Sequence, residues 1–171
     1  MKWTEIEDRH HLVFEAFEEG KFTLEDYLNL VIFTQKRPFT LAQFRSFMFA
    51  QSKPYPDMLA LIRELKTRYG LRVIALSNEG RELNAHRIRK FKLDHFIDSF
   101  ISSSYVHVRK PDPAIFRLAL DTSQALLEKI IYLENTPMFV QIAESLGIRS
   151  ILHTDYKSTL SHLAALGLKL S

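Results

Sequence analysis

The chain contains no cysteine. That excludes disulfides, thiolate metal sites and cysteine nucleophiles, and it fits a reducing compartment. No apolar run approaches the roughly 18 residues that suggest a membrane span. The opening residues, MKWTEIEDRHH, also lack the apolar centre of a secretory signal. These absences predict a cytoplasmic protein with no membrane partner. Basic residues form no dense stripe interleaved with aromatics, so nucleic acid is not an expected partner. Internal repeats and low-complexity tracts are missing too. The seven histidines show no pairing at metal-ligand spacing, and none is assigned to catalysis.

What is present suits one domain, or a domain with a small appendage, able to bury a core within 171 residues. Hydrophobic residues make up 46% and charged residues 25%, both ordinary globular values. The net charge of +3 is unevenly spread. Residues 1–50 carry 6 basic and 8 acidic side chains, and the remainder carries 17 and 12. A positive balance in the second part favours a phosphorylated small molecule as ligand.

Residues 5–50 read as helical. Glu5–Glu19 places Leu12, Val13, Ala16 and Phe17 on one face and stops at Gly20. Thr23, with Asp26 three residues on, opens a second helix with the stripe Leu24, Tyr27, Leu28 and Val31. A third, Leu41–Ala50, carries Phe44, Phe47 and Met48. QSKPYPD at 51–57 is a proline-containing connection and the expected boundary between residues 1–54 and 55–171.

Beyond it the rhythm alternates. Helix is predicted over 57–69 with Asp57 as cap, strand over 71–76, helix over 81–91 and strand over 97–101. Helix then follows over 113–120, strand over 130–133, helix over 138–146, strand over 148–152 and helix over 157–166. Strands alternating with helices at this spacing predict βαβ units and a parallel sheet, an α/β fold with a Rossmann-like core.

In such a sheet the carboxyl ends of the strands share one edge, where ligands bind. Three polar clusters follow strands. They are Ser77-Asn78, then Arg109-Lys110-Pro111-Asp112-Pro113, then Glu134-Asn135. Together they offer a hydroxyl, an ammonium and a carboxylate, which suit phosphate binding and a hard cation. Each also has a plainer reading: Ser77 or Asn78 as a helix cap, Asp112-Pro113 as a helix start, and Glu134-Asn135 as a polar turn.

The segments LSN, RKPDPAIFRLAL and YLENTPMFVQIAESLG resemble the second, third and fourth motifs of the haloacid dehalogenase-like (HAD) hydrolases. The resemblance spans the whole chain, with residues 1–54 similar to a helical cap and 55–171 to the Rossmann-like core. It implies a magnesium-dependent hydrolase, a phosphatase of small phosphorylated metabolites rather than a dehalogenase. By motif, Ser77 would bond the transferring phosphoryl group and Asn78 would shape the turn. Lys110 would hold the phosphate and the nucleophilic aspartate, and Glu134 with Asn135 would stand where the acidic pair anchors magnesium.

Two departures qualify this. The family's first motif, a hydrophobic strand ending in Asp-x-Asp, is absent, and with it the nucleophile and the general acid–base. Asp8 and Asp26 lie on predicted helices and cannot take that role. The missing strand would lie centrally, between the strands at 71–76 and 130–133. Those strands close up, or another chain fills the slot in a homodimer, or the native protein is longer. The expectation is the last, with Met1 an internal methionine. The second departure is Glu134-Asn135 in place of two aspartates, which predicts weak or no magnesium binding by this chain. Three readings stay open: a hydrolase that is inactive as written, a non-catalytic protein binding a phosphorylated ligand or a partner, and a fragment with no function of its own. Phe14, Phe17 and Tyr27 are candidates either for a substrate pocket or for helix packing.

Overall fold

The computed structural model describes residues 2–170. Met1, read above as an internal methionine, lies outside the described residues. Nine α-helices, two short 3-10 turns and four short strands are found among them. They run α1 (Trp3–Glu18), α2 (Leu24–Val31), α3 (Leu41–Ala50), α4 (Pro56–Tyr69), β1 (Ile74–Ser77), α5 (Arg81–Lys90) and β2 (Ser99–Ser102). After these come α6 (Ser103–Val106), α7 (Pro113–Ser123), β3 (Ile131–Glu134), α8 (Pro137–Ser145), β4 (Arg149–Leu152) and α9 (Tyr156–Ala165).

The chain forms two compact units, each assembled from separate stretches. The first runs through Lys53 and takes up Ser77–His95 and Ile101–Arg109. Its core is Phe17, Leu24, Leu28, Val31 and Ile32, with Phe44, Met48 and Phe49 packed against them. Thr23 and Thr40 close capping boxes on α2 and α3, each satisfying orphan N–H groups of the first turn. The separate stretches are tied by polar bonds between them. Ser103 Oγ donates to the Glu18 carbonyl at 2.6 Å, and the Leu24 N–H donates to Glu82 Oε1 at 2.9 Å. His86 stacks on Phe49 with ring centres 4.5 Å apart.

The second unit comprises Pro54–Leu76, Phe96–Phe100 and Lys110–Ser171. Leu61, Leu65, Ile151 and Leu163 form its buried cluster, onto which Ile131 and Leu133 of β3 pack. β3 and β4 are parallel, with Ile131 opposite Arg149 and Glu134 opposite Leu152. The connection through α8 is therefore a βαβ unit, as the alternating pattern predicts. β1 pairs with β2 in a separate two-stranded ladder, and no ladder joins β1 to β3 among the described residues. None of the four β1 residues is fully buried.

Several boundaries differ from the sequence reading for physical reasons. Leu12 is 83% exposed and Phe47 59% exposed, so the stripes of α1 and α3 are narrower than read. β1 starts at Ile74 instead of Leu71, and the Val73 N–H goes to the Asp98 carboxylate at 2.7 Å. α4 starts with Pro56 in its first turn after Tyr55, so Asp57 lies inside the helix and does not cap it. Gly80, not Ser77 or Asn78, is the N-cap of α5. A β-carbon there would lie 2.1 Å from the end of the Phe17 ring, so a side chain at this position requires the ring to shift. The short helix α6 was not anticipated, because its Ser102-Ser103-Ser104 entry reads as a loop, yet all three serines are buried.

Candidate functional site

In the second unit, Lys110 stands three residues before the first residue of α7, which Asp112 caps by accepting the Ala114 N–H at 2.8 Å. The Lys110–Pro111 peptide bond is cis. Tyr132 and Glu134 alternate along β3 and so share one face of the strand. Lys110 Nζ donates to Glu134 Oε2 at 2.6 Å, and both side chains are only 7% exposed. The Tyr132 hydroxyl donates to the same oxygen at 2.7 Å and lies 3.4 Å from Lys110 Nζ. The other oxygen, Oε1, accepts the N–H groups of Asn135 at 2.8 Å and Thr136 at 3.0 Å, just ahead of α8.

Aromatic rings complete the surroundings. Lys110 Nζ lies 4.8 Å from the centre of the Phe139 ring, and Phe116 meets Tyr132 edge-on at 5.7 Å. Burial alone would push the Glu134 carboxyl up. The bonds from Lys110 and Tyr132, the Lys110 charge and the Thr136 N–H outweigh it and hold the group below its usual range. Tyr132 is pushed the other way, by burial first and then by its bond to Glu134 and that carboxylate's charge.

Lys110 and Glu134 are thus brought together, which neither a solvated lysine nor a polar turn would require. Asn135 contributes its backbone N–H, and its residue is exposed. Tyr132 was not anticipated. Its signal in the sequence is the i, i+2 spacing to Glu134 on a strand.

Magnesium can be tested against this geometry. Both Glu134 oxygens already accept two hydrogen bonds each, one of them from an ammonium that a cation would have to displace. No group of three or more His, Asp or Glu side chains able to hold a metal occurs among the described residues. The residues present do not fit a magnesium centre.

In the first unit, Ser77 closes β1 and its hydroxyl donates to Ser102 Oγ at 3.3 Å. Asn78 follows, partly buried. The Glu79 N–H donates to Ser103 Oγ at 2.9 Å, and its carboxylate accepts Asn84 Nδ2 at 3.1 Å and the Arg87 guanidinium. Arg87 Nε also donates to Ser52 Oγ at 3.1 Å. Arg109 spans Glu15 at 2.8 Å and Glu18 at 3.0 Å, and lies over Phe14 at 5.0 Å. Phe17 stacks on Tyr27 at 4.4 Å, and the Tyr27 hydroxyl meets His10 Nδ1 at 2.7 Å. Phe17 and Tyr27 therefore pack α1 against α2.

The α/β architecture and the parallel β3–α8–β4 unit define the class, and comparison with known proteins places the chain within it. A family model described as haloacid dehalogenase-like hydrolase matches residues 2–147, and the chain belongs to that family. It is 26% identical over 140 residues to a phosphorylated carbohydrates phosphatase of Thermotoga maritima, covering 82% of this chain and 60% of that protein. It is 33% identical over 73 residues to (S)-2-haloacid dehalogenase 4A of Burkholderia cepacia, covering 43% of this chain and 31% of that one. The chain thus spans less than two thirds of these relatives. A HAD family enzyme of Bacteroides thetaiotaomicron, solved with magnesium and inorganic phosphate, superposes with a TM-score of 0.75 at 19% identity. That match covers 92% of this chain and 84% of the other and reports a shared fold. No described helix is long and apolar enough to cross a membrane.

Proposed function

We propose that this HAD-like hydrolase belongs with the phosphatases of small phosphorylated metabolites, and that the chain as written is catalytically silent. The observation that carries the reading is the buried Lys110 ammonium, ion-paired with Glu134 at the carboxyl end of β3, a fixed positive charge at the edge where such sheets bind ligands. The likeness to a phosphatase of phosphorylated carbohydrates supports the same substrate class. Residues 1–54 are read as the helical cap and 55–171 as the core. Ser77 and Asn78, at the end of β1, are read as phosphate contacts.

Silence follows from composition. Transfer of a phosphoryl group to an enzyme carboxylate needs an aspartate at a strand end, and the sequence contains no Asp-x-Asp. Lys110 can hold an anion but cannot attack phosphorus while its ammonium is protonated and bonded to Glu134.

The test pairs the 171-residue chain with the endogenous protein isolated from its source, assayed on p-nitrophenyl phosphate and a panel of sugar phosphates with magnesium. Phosphate release by the endogenous protein and none by the chain is the expected result. Release by the chain itself overturns the argument about the nucleophile. Release by neither overturns the phosphatase reading in favour of a ligand- or partner-binding protein.

A further inference from the structure

We propose that the acid-free, phenylalanine-rich stretch around α3 is a peripheral docking surface for an anionic lipid bilayer. Between Asp26 and Asp57 the chain has no acidic residue, and that interval holds Lys36, Arg37, Arg45 and Lys53 with five of the thirteen phenylalanines. α3 is apolar at seven of its ten positions, yet none of its residues is fully buried. Leu41, Phe44, Met48 and Phe49 pack against the core of the first unit. Phe47 is left 59% exposed and Phe39, just before the helix, 37% exposed. Phe39 stacks on Phe44 with ring centres 5.6 Å apart, and Phe44 reaches Phe47 at 6.1 Å, so the three rings form one row. Lys36 and Arg45, both exposed, flank this row in sequence and join no ion pair among the described residues. A contiguous row of partly exposed rings marks a contact surface.

Charge selects what covers it. A second copy docked through its own α3 would bring the same cations together across a two-fold axis, with no carboxylate from this stretch on either side. An anionic surface attracts them instead. Phenylalanine has no hydroxyl or indole N–H, and polar neighbours are spent on backbone: Thr40 and Gln43 in the capping box of α3, and Gln51 on the Phe47 carbonyl at 3.1 Å. Rings without a polar handle, beside cations without a fixed partner, suit a fluid interface. There the rings enter the acyl boundary and the basic heads meet lipid phosphates and carboxylates. The expectation of no membrane partner came from the lack of a spanning run, and a helix lying along a surface needs none. None of these residues belongs to the Lys110–Glu134 cluster, and the surface is independent of the phosphatase reading.

Co-sedimentation of the 171-residue chain with vesicles of phosphatidylcholine alone, and of an equal mixture with phosphatidylserine, tests this. The chain should bind the mixed vesicles and not the neutral ones, and added salt should release it. Arg45→Glu and Phe47→Ser should each weaken binding at least about tenfold, the first by reversing a charge and the second by removing a ring from the acyl boundary. Circular dichroism checks that each variant is folded. Lys36→Glu, in the loop before α3, repeats the charge test outside any helix.

No binding to the mixed vesicles overturns the proposal. Equal binding to neutral vesicles, or binding that survives all three substitutions, does so too. A single-stranded oligonucleotide or polyglutamate that is bound when vesicles are not would give the surface to another kind of anion and overturn the lipid assignment. None of these readouts involves turnover, so a failed phosphatase assay and a failed sedimentation are separable.

Discussion

Tyr132 and Glu134, two residues apart on one strand, are joined by a 2.7 Å hydrogen bond to the same carboxylate oxygen that receives the Lys110 ammonium. A charged pair this deeply buried costs desolvation, and the additional donors on Glu134 offset part of it. Its local energetics therefore depend on completeness, and the effect of removing one member is not that of removing two.

Lys110→Met leaves Glu134 buried without its counter-charge and should destabilise the protein by about 3 kcal/mol. Lys110→Met combined with Glu134→Gln should lose less than the sum of the two single variants. Urea unfolding of all four proteins closes the cycle, and strictly additive losses would show that the pair is not coupled.

Two glycines in the first unit are sterically required in different ways. At Gly20 a β-carbon would stand 2.2 Å from the Ser104 carbonyl oxygen, and its backbone has φ of 73°. At Gly80 the obstacle is the end of the Phe17 ring, and φ is an ordinary −62°. A side chain can move where a backbone cannot. Gly80→Ala should cost about 1–3 kcal/mol, recovered in part by Phe17→Leu, and Gly20→Ala should cost more than that range. Equal losses in thermal unfolding would contradict the assignment.

The pH dependence of stability should carry a contribution from Glu79. Burial pushes its carboxyl above the usual range, against the pull of Arg87 and the Asn84 bond. The folded state thus holds this proton to higher pH than the unfolded chain does. Its stabilisation is complete below the ordinary glutamate pKa and is lost as pH rises through the raised folded value. Glu79→Gln should remove that loss, so the variant gains relative to wild type as pH rises above the ordinary glutamate value of about 4.3. Parallel stability curves would rule this out.

Magnesium chloride should leave the thermal midpoint of the chain where matched sodium chloride leaves it, and EDTA should change nothing. The reason is the occupancy of Glu134 by Lys110, Tyr132 and two backbone N–H groups. A midpoint that climbs with magnesium concentration would show a site built from other oxygens.

Much of the architecture is written locally. Gly20 and Gly70 stop their helices in left-handed conformations, Thr23 and Asp112 start theirs, and apolar runs of strand length alternate with helical stripes from Pro56 onward. These are short-range choices of backbone and burial, so spacing alone encodes them. The polar residues after the strands were legible for the same reason. What they bond to was not. Lys110 and Glu134 are 24 residues apart, and their pairing depends on where α7 and β3 come to lie. Tyr132 reads as one more strand residue until its hydroxyl meets Glu134. Gly80 reads as a turn residue until Phe17, 63 positions earlier in a different helix, fills the space its side chain would need. The sequence by itself determined the longer elements, their order and the residues that carry charge. Only the tertiary structure decided which charge is spent on which partner, because a buried ion pair is set by long-range approach and desolvation, neither of which leaves a periodic trace in the chain.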